Sequence, residues 1–154
     1  MRCSGSGSSS FDIASIYELD KVMGCGVSPD RISYGNTIKK ARHIRAFYEK
    51  GVRLYATDSE ADLRNIAKAA PGSKIYVRIL TEGSTTADWP LSRKFGVARE
   101  GAIGLLDHAR DLGLKPVGLS FHVGSQTRKA EFWNPVLDQV APLWHAARAD
   151  GHDL

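Results

Sequence analysis

A chain of 154 residues, 42% hydrophobic and 25% charged, is long enough for one domain with a real core and ordinary in its polarity. Its formal charge of +4 is spread along the chain, so neither nucleic acid nor a membrane surface is expected as a partner. No apolar run is long enough to cross a bilayer and no signal-peptide core is present. The two cysteines, Cys3 and Cys25, make neither a disulfide framework nor a metal site, so a cytoplasmic protein is expected.

Residues 1–10, M-R-C-S-G-S-G-S-S-S, hold nothing that packs. They read as a disordered appended linker, with a natural flexible tail as the alternative, and the fold is expected over 11–154. F-D-I then alternates, with Asp12 facing away from Phe11 and Ile13. Ser15 and Glu18 form an S-x-x-E capping box for a helix towards Met23, which Gly24 and Gly26 stop. A short strand is predicted over 32–34. Asn36 or Thr37 should cap a helix with Ile38, Ala41, Ile44, Phe47 and Tyr48 on one side, and Gly51 ends it. Val52, Leu54 and Ala56 mark a third strand. Ser59 with Asp62 caps a helix that buries Leu63, Ile66, Ala67 and Ala70 before Pro71 and Gly72.

Residues 74–80 give the clearest strand signal: Ile75, Val77 and Ile79 point one way, Tyr76 and Arg78 the other. A long polar loop follows to about Val97, and loops of that length are often functional. A helix is predicted over 100–112, stopped by Gly113, and another over 131–149, where Pro142 should introduce a kink. Between them, 117–123 alternates. Val117, Leu119, Phe121 and Val123 are apolar; Gly118, Ser120 and His122 are small or polar. Gly124 and Ser125 turn the chain at the carboxyl end of that strand, where parallel α/β architectures bind ligands.

Strand and helix alternate five times, which argues for a parallel sheet with right-handed crossovers. A doubly wound sheet and part of a closed eight-unit barrel both fit. The first strand–helix turn has no G-x-G-x-x-G, and small or polar residues recur on one strand face. The expected fold is therefore α/β: about five βα units of a TIM-type (β/α)8 barrel with parallel strands.

Six blocks follow one another: F-D-I-A-S, I-S-Y-G-N-T-I-K, Y-A-T-D-S-E-A-D-L, I-Y-V-R-I, W-P-L-S-R-K-F-G and G-L-S-F-H-V-G-S. In this order the chain from Phe11 to Leu154 resembles the pyridoxal-phosphate-dependent ornithine, lysine, diaminopimelate and arginine decarboxylases with an alanine-racemase-like barrel. W-P-L-S-R-K-F-G and the short connections look most like bacterial ornithine or lysine decarboxylases. The resemblance implies that a lysine holds pyridoxal phosphate as a Schiff base and that the cofactor ring takes up the electrons of decarboxylation. It implies that His122 stacks on the ring, that Ser125 contacts the phosphate, and that Arg78 lines the cofactor site. Asp12 and Glu18 would lie near the Schiff-base lysine, and Lys94 near a dimer interface.

Each residue also has a plainer reading. His122 would be a satisfied structural histidine and Glu18 a capping residue. Arg78 would be an ion-pair partner of Asp12 or Asp58, Ser125 a turn or cap residue, and Lys94 a solvated charge. The family's Schiff-base lysine sits in a Y-A-V-K-x-N-like block just before F-D-I-A-S, where this chain has Ser and Gly. Its glycine-rich phosphate loop and C-terminal domain would follow Leu154. The expectation is a fragment of a basic amino-acid decarboxylase that is inactive alone, has weak or undetectable affinity for pyridoxal phosphate, and self-associates through open sheet edges. The alternatives are a non-catalytic module binding pyridoxal phosphate or a partner, and a purely structural self-associating fragment.

Overall fold

The computed structural model describes residues 9–81, 95–123 and 130–154. Five strands alternate with five α-helices: β1 (Phe11–Ile13), α1 (Ile16–Gly24), β2 (Ile32–Tyr34), α2 (Ala41–Glu49), β3 (Leu54–Thr57), α3 (Glu60–Ala69), β4 (Lys74–Arg78), α4 (Arg99–Asp111), β5 (Lys115–Ser120) and α5 (Asn134–Ala149). Short 3-10 turns precede β2 and α5, at Pro29–Arg31 and Ala130–Trp133. All pairings are parallel and the strand order is β1-β2-β3-β4-β5. A doubly wound sheet must reverse its strand order; this one never does. Consecutive order with crossovers of one hand keeps the helices on one face, which is the arrangement of a barrel wall.

Registered neighbours in a parallel sheet share a face, so the pairing sorts the side chains. Ile13, Tyr34, Tyr55 and Ile75 lie in one row, and Thr57, Val77 and Leu119 in another, both turned to the helices. There they meet Leu19, Ile44, Phe47, Leu63, Ile66 and Leu106, all fully buried. Tyr34 stacks on Phe47 with ring centroids 3.9 Å apart, and the Tyr55 hydroxyl donates to the Val52 carbonyl at 3.1 Å. These rings bring large apolar areas into the core while the phenol of Tyr55 keeps a partner.

Several expected boundaries move. Gly24 is the last residue of α1, and the chain turns at Gly26, whose φ of 83° is costly for residues with a Cβ. The helix after β2 starts at Ala41 with Lys40 as its N-cap and no side-chain cap, so neither Asn36 nor Thr37 caps it. Ile38 lies outside that helix and is 75% exposed. Val52 is buried but precedes β3. The last strand begins at Lys115 and ends at Ser120, before His122. Pro116 pairs with Ile75 and Gly118 with Tyr76, so Val117 is an extra residue in β5. That bulge sits where proline removes a ladder donor, and the alternation read from the sequence holds from Gly118 onward.

Candidate functional site

The sheet face turned away from the helices carries the polar residues. Asp12 is registered with Ser33 and Ser33 with Leu54; Ala56 is registered with Tyr76, Tyr76 with Gly118, and Arg78 with Ser120. Small side chains at Ala56, Gly118 and Ser120 therefore flank the long ones at Tyr76 and Arg78. Parallel-strand alternation puts all of these on one surface.

Asp12 lies at the first edge of that surface. Its Oδ1 accepts from the Ser33 hydroxyl at 2.5 Å and from the Tyr76 hydroxyl at 3.1 Å. Tyr76 belongs to β4, with β2 and β3 between it and β1. Across a flat sheet the two Cα rows would be about 14 Å apart, three spacings of ~4.8 Å, too far for a tyrosine and an aspartate to meet. The contact requires the sheet to curl towards a lumen, as in a barrel. Gly35 lies against the same carboxylate, and a Cβ there would fall on the Asp12 oxygens. The Asn36 amide donates to the Ala14 carbonyl at 2.8 Å, tying the loop after β2 to β1.

Arg78 ends β4, with its guanidinium 5.6 Å from the centre of the Phe95 ring. Asp12 is taken by two hydroxyls, and Asp58 accepts the Gly96 backbone N–H at 2.9 Å. Among the described residues, neither carboxylate pairs with Arg78. Gly96 has φ 111° and lies so close to Ile79 and Leu80 that a Cβ would meet the Leu80 nitrogen at 2.6 Å. Only glycine fits this return of the chain to β4.

His122 follows β5, and its backbone carbonyl accepts the Thr81 hydroxyl at 3.1 Å. Partial burial first, and the positive Arg78 second, lower its pKa below the ordinary imidazole value. A neutral ring beside a cation results. Burial first, and the Asp12 charge second, raise the pKa of Tyr76, so its phenol remains a donor.

Glu18 forms the expected capping box. Its carboxylate accepts the Ser15 and Ala14 N–H groups at 3.1 and 2.6 Å, while Ser15 Oγ accepts the Glu18 N–H at 3.3 Å. Ser125 and Lys94 lie outside the described residues. The structure thus places Asp12 and Arg78 on one face and His122 close to Arg78.

Ser33 and Tyr76 escaped the sequence reading as partners of Asp12. Alternation put Tyr76 on the Arg78 face, but nothing local reveals a bond across three strand spacings. A second omission is Lys39, only 7% exposed, whose ammonium donates to Asp62 Oδ2 and the Ala56 carbonyl at 2.6 Å and to the Asn36 carbonyl at 2.8 Å. Burial pushes both partners towards their neutral forms, lowering the pKa of Lys39 and raising that of Asp62, and each one's charge opposes the other's shift.

Arg78 would offer a cation to a phosphate-bearing aromatic ligand and His122 a ring to stack on it, with the small residues Ala56, Gly118 and Ser120 beside the long ones. Pyridoxal phosphate, if bound here, would supply an electron sink. This chain's residues would bind and orient it.

Residues 2–154 match the family described as pyridoxal-dependent decarboxylase, pyridoxal binding domain. Ornithine decarboxylase of Neurospora crassa is 36% identical over 144 residues, covering 94% of this chain and 30% of that protein. Lysine/ornithine decarboxylase of Selenomonas ruminantium is 34% identical over 146 residues, covering 95% and 37%. The solved structure of lysine decarboxylase from Selenomonas ruminantium superposes with a TM-score of 0.87 at 34% identity, covering 96% of this chain and 38% of that one. The chain spans about a third of the length of these relatives. On its fold and these matches, the chain belongs to the pyridoxal-binding domain family of the pyridoxal-dependent decarboxylases, whose cofactor is pyridoxal phosphate.

Proposed function

We propose that this chain supplies the cofactor-ring and phosphate surface of a decarboxylase acting on ornithine, lysine or a related basic amino acid in the cytoplasm, and that the 154-residue chain is itself inactive. The observation that carries the reading is the grouping of Arg78 and His122 at the carboxyl ends of β4 and β5, with Asp12 on the same face as Arg78. Inactivity is argued from the lysines. The row through Asp12, Ser33 and Leu54 ends in Lys74 and Lys115, but these are the first residues of β4 and β5, at the opposite end of the strands from Arg78 and Ser120, and the buried Lys39 is committed to Asp62. Among the described residues, neither row at the carboxyl-end half of that face, Ala56–Tyr76–Gly118 or Arg78–Ser120, offers a lysine as a covalent anchor for the cofactor.

Carbon dioxide release from ornithine, lysine and diaminopimelate, with pyridoxal phosphate added, tests this. The expected rate equals that of the cofactor alone; clear turnover above it refutes the claim of inactivity. Calorimetric titration with pyridoxal phosphate is expected to give weak binding that His122→Ala weakens further. Binding indifferent to His122→Ala would remove His122 from the site.

A further inference from the structure

We propose that Tyr76 and Ser33 are positioning residues that hold the Asp12 carboxylate as the acceptor for a cationic nitrogen on a pyridoxal-type ligand. This rests on the cofactor-site reading above and extends it to the ligand's second charge.

Both hydroxyls donate to the same oxygen, Oδ1, at 2.5 Å from Ser33 and 3.1 Å from Tyr76. Hydroxyl donors orient a carboxylate without neutralising it. Gly35 closes on the carboxylate from the adjoining loop, where a Cβ would collide with it, and Asn36 fixes that loop to Ala14. The group is thus held by β2, β4 and a backbone turn. Among the described residues, no lysine, arginine or histidine forms an ion pair with Asp12. The carboxylate is exposed, and among the described residues no donor reaches its second oxygen, Oδ2, which lies against Gly35, so that oxygen is the one offered to a ligand cation.

The rest of the face fixes the class of ligand. Arg78 lies on the same face, three strands away, and pairs with no carboxylate among the described residues. Positive charge at β4 and negative charge at β1 suit a molecule with a phosphate at one end and a protonated amine at the other. Tyr76 lies between these poles and is kept a donor by burial and by Asp12 itself.

Two probes isolate the cationic nitrogen. Pyridoxamine 5′-phosphate and pyridoxine 5′-phosphate share ring and phosphate, differ in an ammonium against a hydroxyl, and form no imine with surface lysines. Each is titrated calorimetrically against the wild-type chain, Asp12→Asn, Tyr76→Phe, Ser33→Ala and the Tyr76→Phe/Ser33→Ala double variant, with circular dichroism checking the fold. The readout is the ratio of the two affinities. Wild type is expected to favour the amine about threefold, the worth of a partly exposed ion pair. Asp12→Asn should bring the ratio to about one, and the double variant should bring it most of the way there. Tyr76→Phe retains the ring, so it tests the hydroxyl rather than the packing. Equal binding by wild type overturns the inference, as does a preference that survives Asp12→Asn or is undiminished in the double variant. Binding of neither phosphate overturns the cofactor-site reading and this inference with it; loss of the preference alone overturns only the inference.

Discussion

His122 illustrates how one residue's surroundings set its chemistry. Burial is the larger cause of its lowered pKa and Arg78 the smaller. The folded imidazole therefore takes up its proton less readily than the unfolded one. Between the folded value and about 6.5 the unfolded chain holds more protons. Stability contributed by this group is thus lost as pH falls from about 6.5 through the folded value. Urea midpoints measured on both sides of that window should differ more in wild type than in His122→Gln. An NMR titration of Arg78→Met should show the His122 pKa rising only part of the way to its ordinary value, because burial remains. An unchanged value would mean that Arg78 does not act on the ring. The sequence made His122 and Arg78 candidates through alternation and block resemblance. It left open whether Arg78 is spent on Asp12 or Asp58, which depended on the bonds those carboxylates make elsewhere.

At the scale of an element, the loop from β2 to α2 departs most from expectation. Asn36 and Thr37 are good capping types, yet α2 starts later, at Ala41. The loop is secured instead by the Lys39 ammonium, which binds Asn36, the β3 residue Ala56 and the α3 residue Asp62. The side chains of Lys39 and Asp62 are 0% and 7% exposed, so the ion pair is dry and replacements of one partner are costly. Lys39→Met alone should destabilise by about 3–5 kcal/mol, since it strands the Asp62 charge. Lys39→Met with Asp62→Leu should cost less than the single change, even though two carbonyls lose their donor. Urea denaturation of Lys39→Met, Asp62→Leu and the double variant decides it; a double variant as unstable as the sum of its singles would show that the pair does not couple. The same loop presses Gly35 on Asp12, so this anchor supports the polar face as well as the fold.

For the whole molecule, the sheet has β1 and β5 at its edges. Unpaired edge groups invite pairing with another copy, and an uncovered barrel face leaves apolar surface exposed. Beside β5, Phe121 and Trp133 pack edge to face with centroids 6.1 Å apart, and Trp133 remains 44% exposed. We propose that the 154-residue chain self-associates through these edges. Light scattering over a concentration series should give a mass that rises with concentration. A strictly monomeric, cooperatively folded species at high concentration would contradict it. Among the described residues, no helix is long and apolar enough to cross a membrane.

Sequence alone determined the alternation of five strands and five helices, the Ser15–Glu18 capping box, the Ser59 cap and most glycine stops, because these depend on residues within a few positions of one another. The Ser15–Glu18 box and the turns at Gly51, Gly72 and Gly113 are such local features. It also determined which face of β4 carries Tyr76 and Arg78, since period-two alternation is a property of the chain itself. The sequence favoured a barrel over a doubly wound sheet; the tertiary structure bears this out and alone shows the curl, through strand order and the Tyr76–Asp12 contact. The partners of Asp12, Asp58, Lys39 and Arg78 were likewise decided there. Hydrogen bonds and charges act through space over a few ångströms, and folding brings together residues as far apart in the chain as Asp12 and Tyr76.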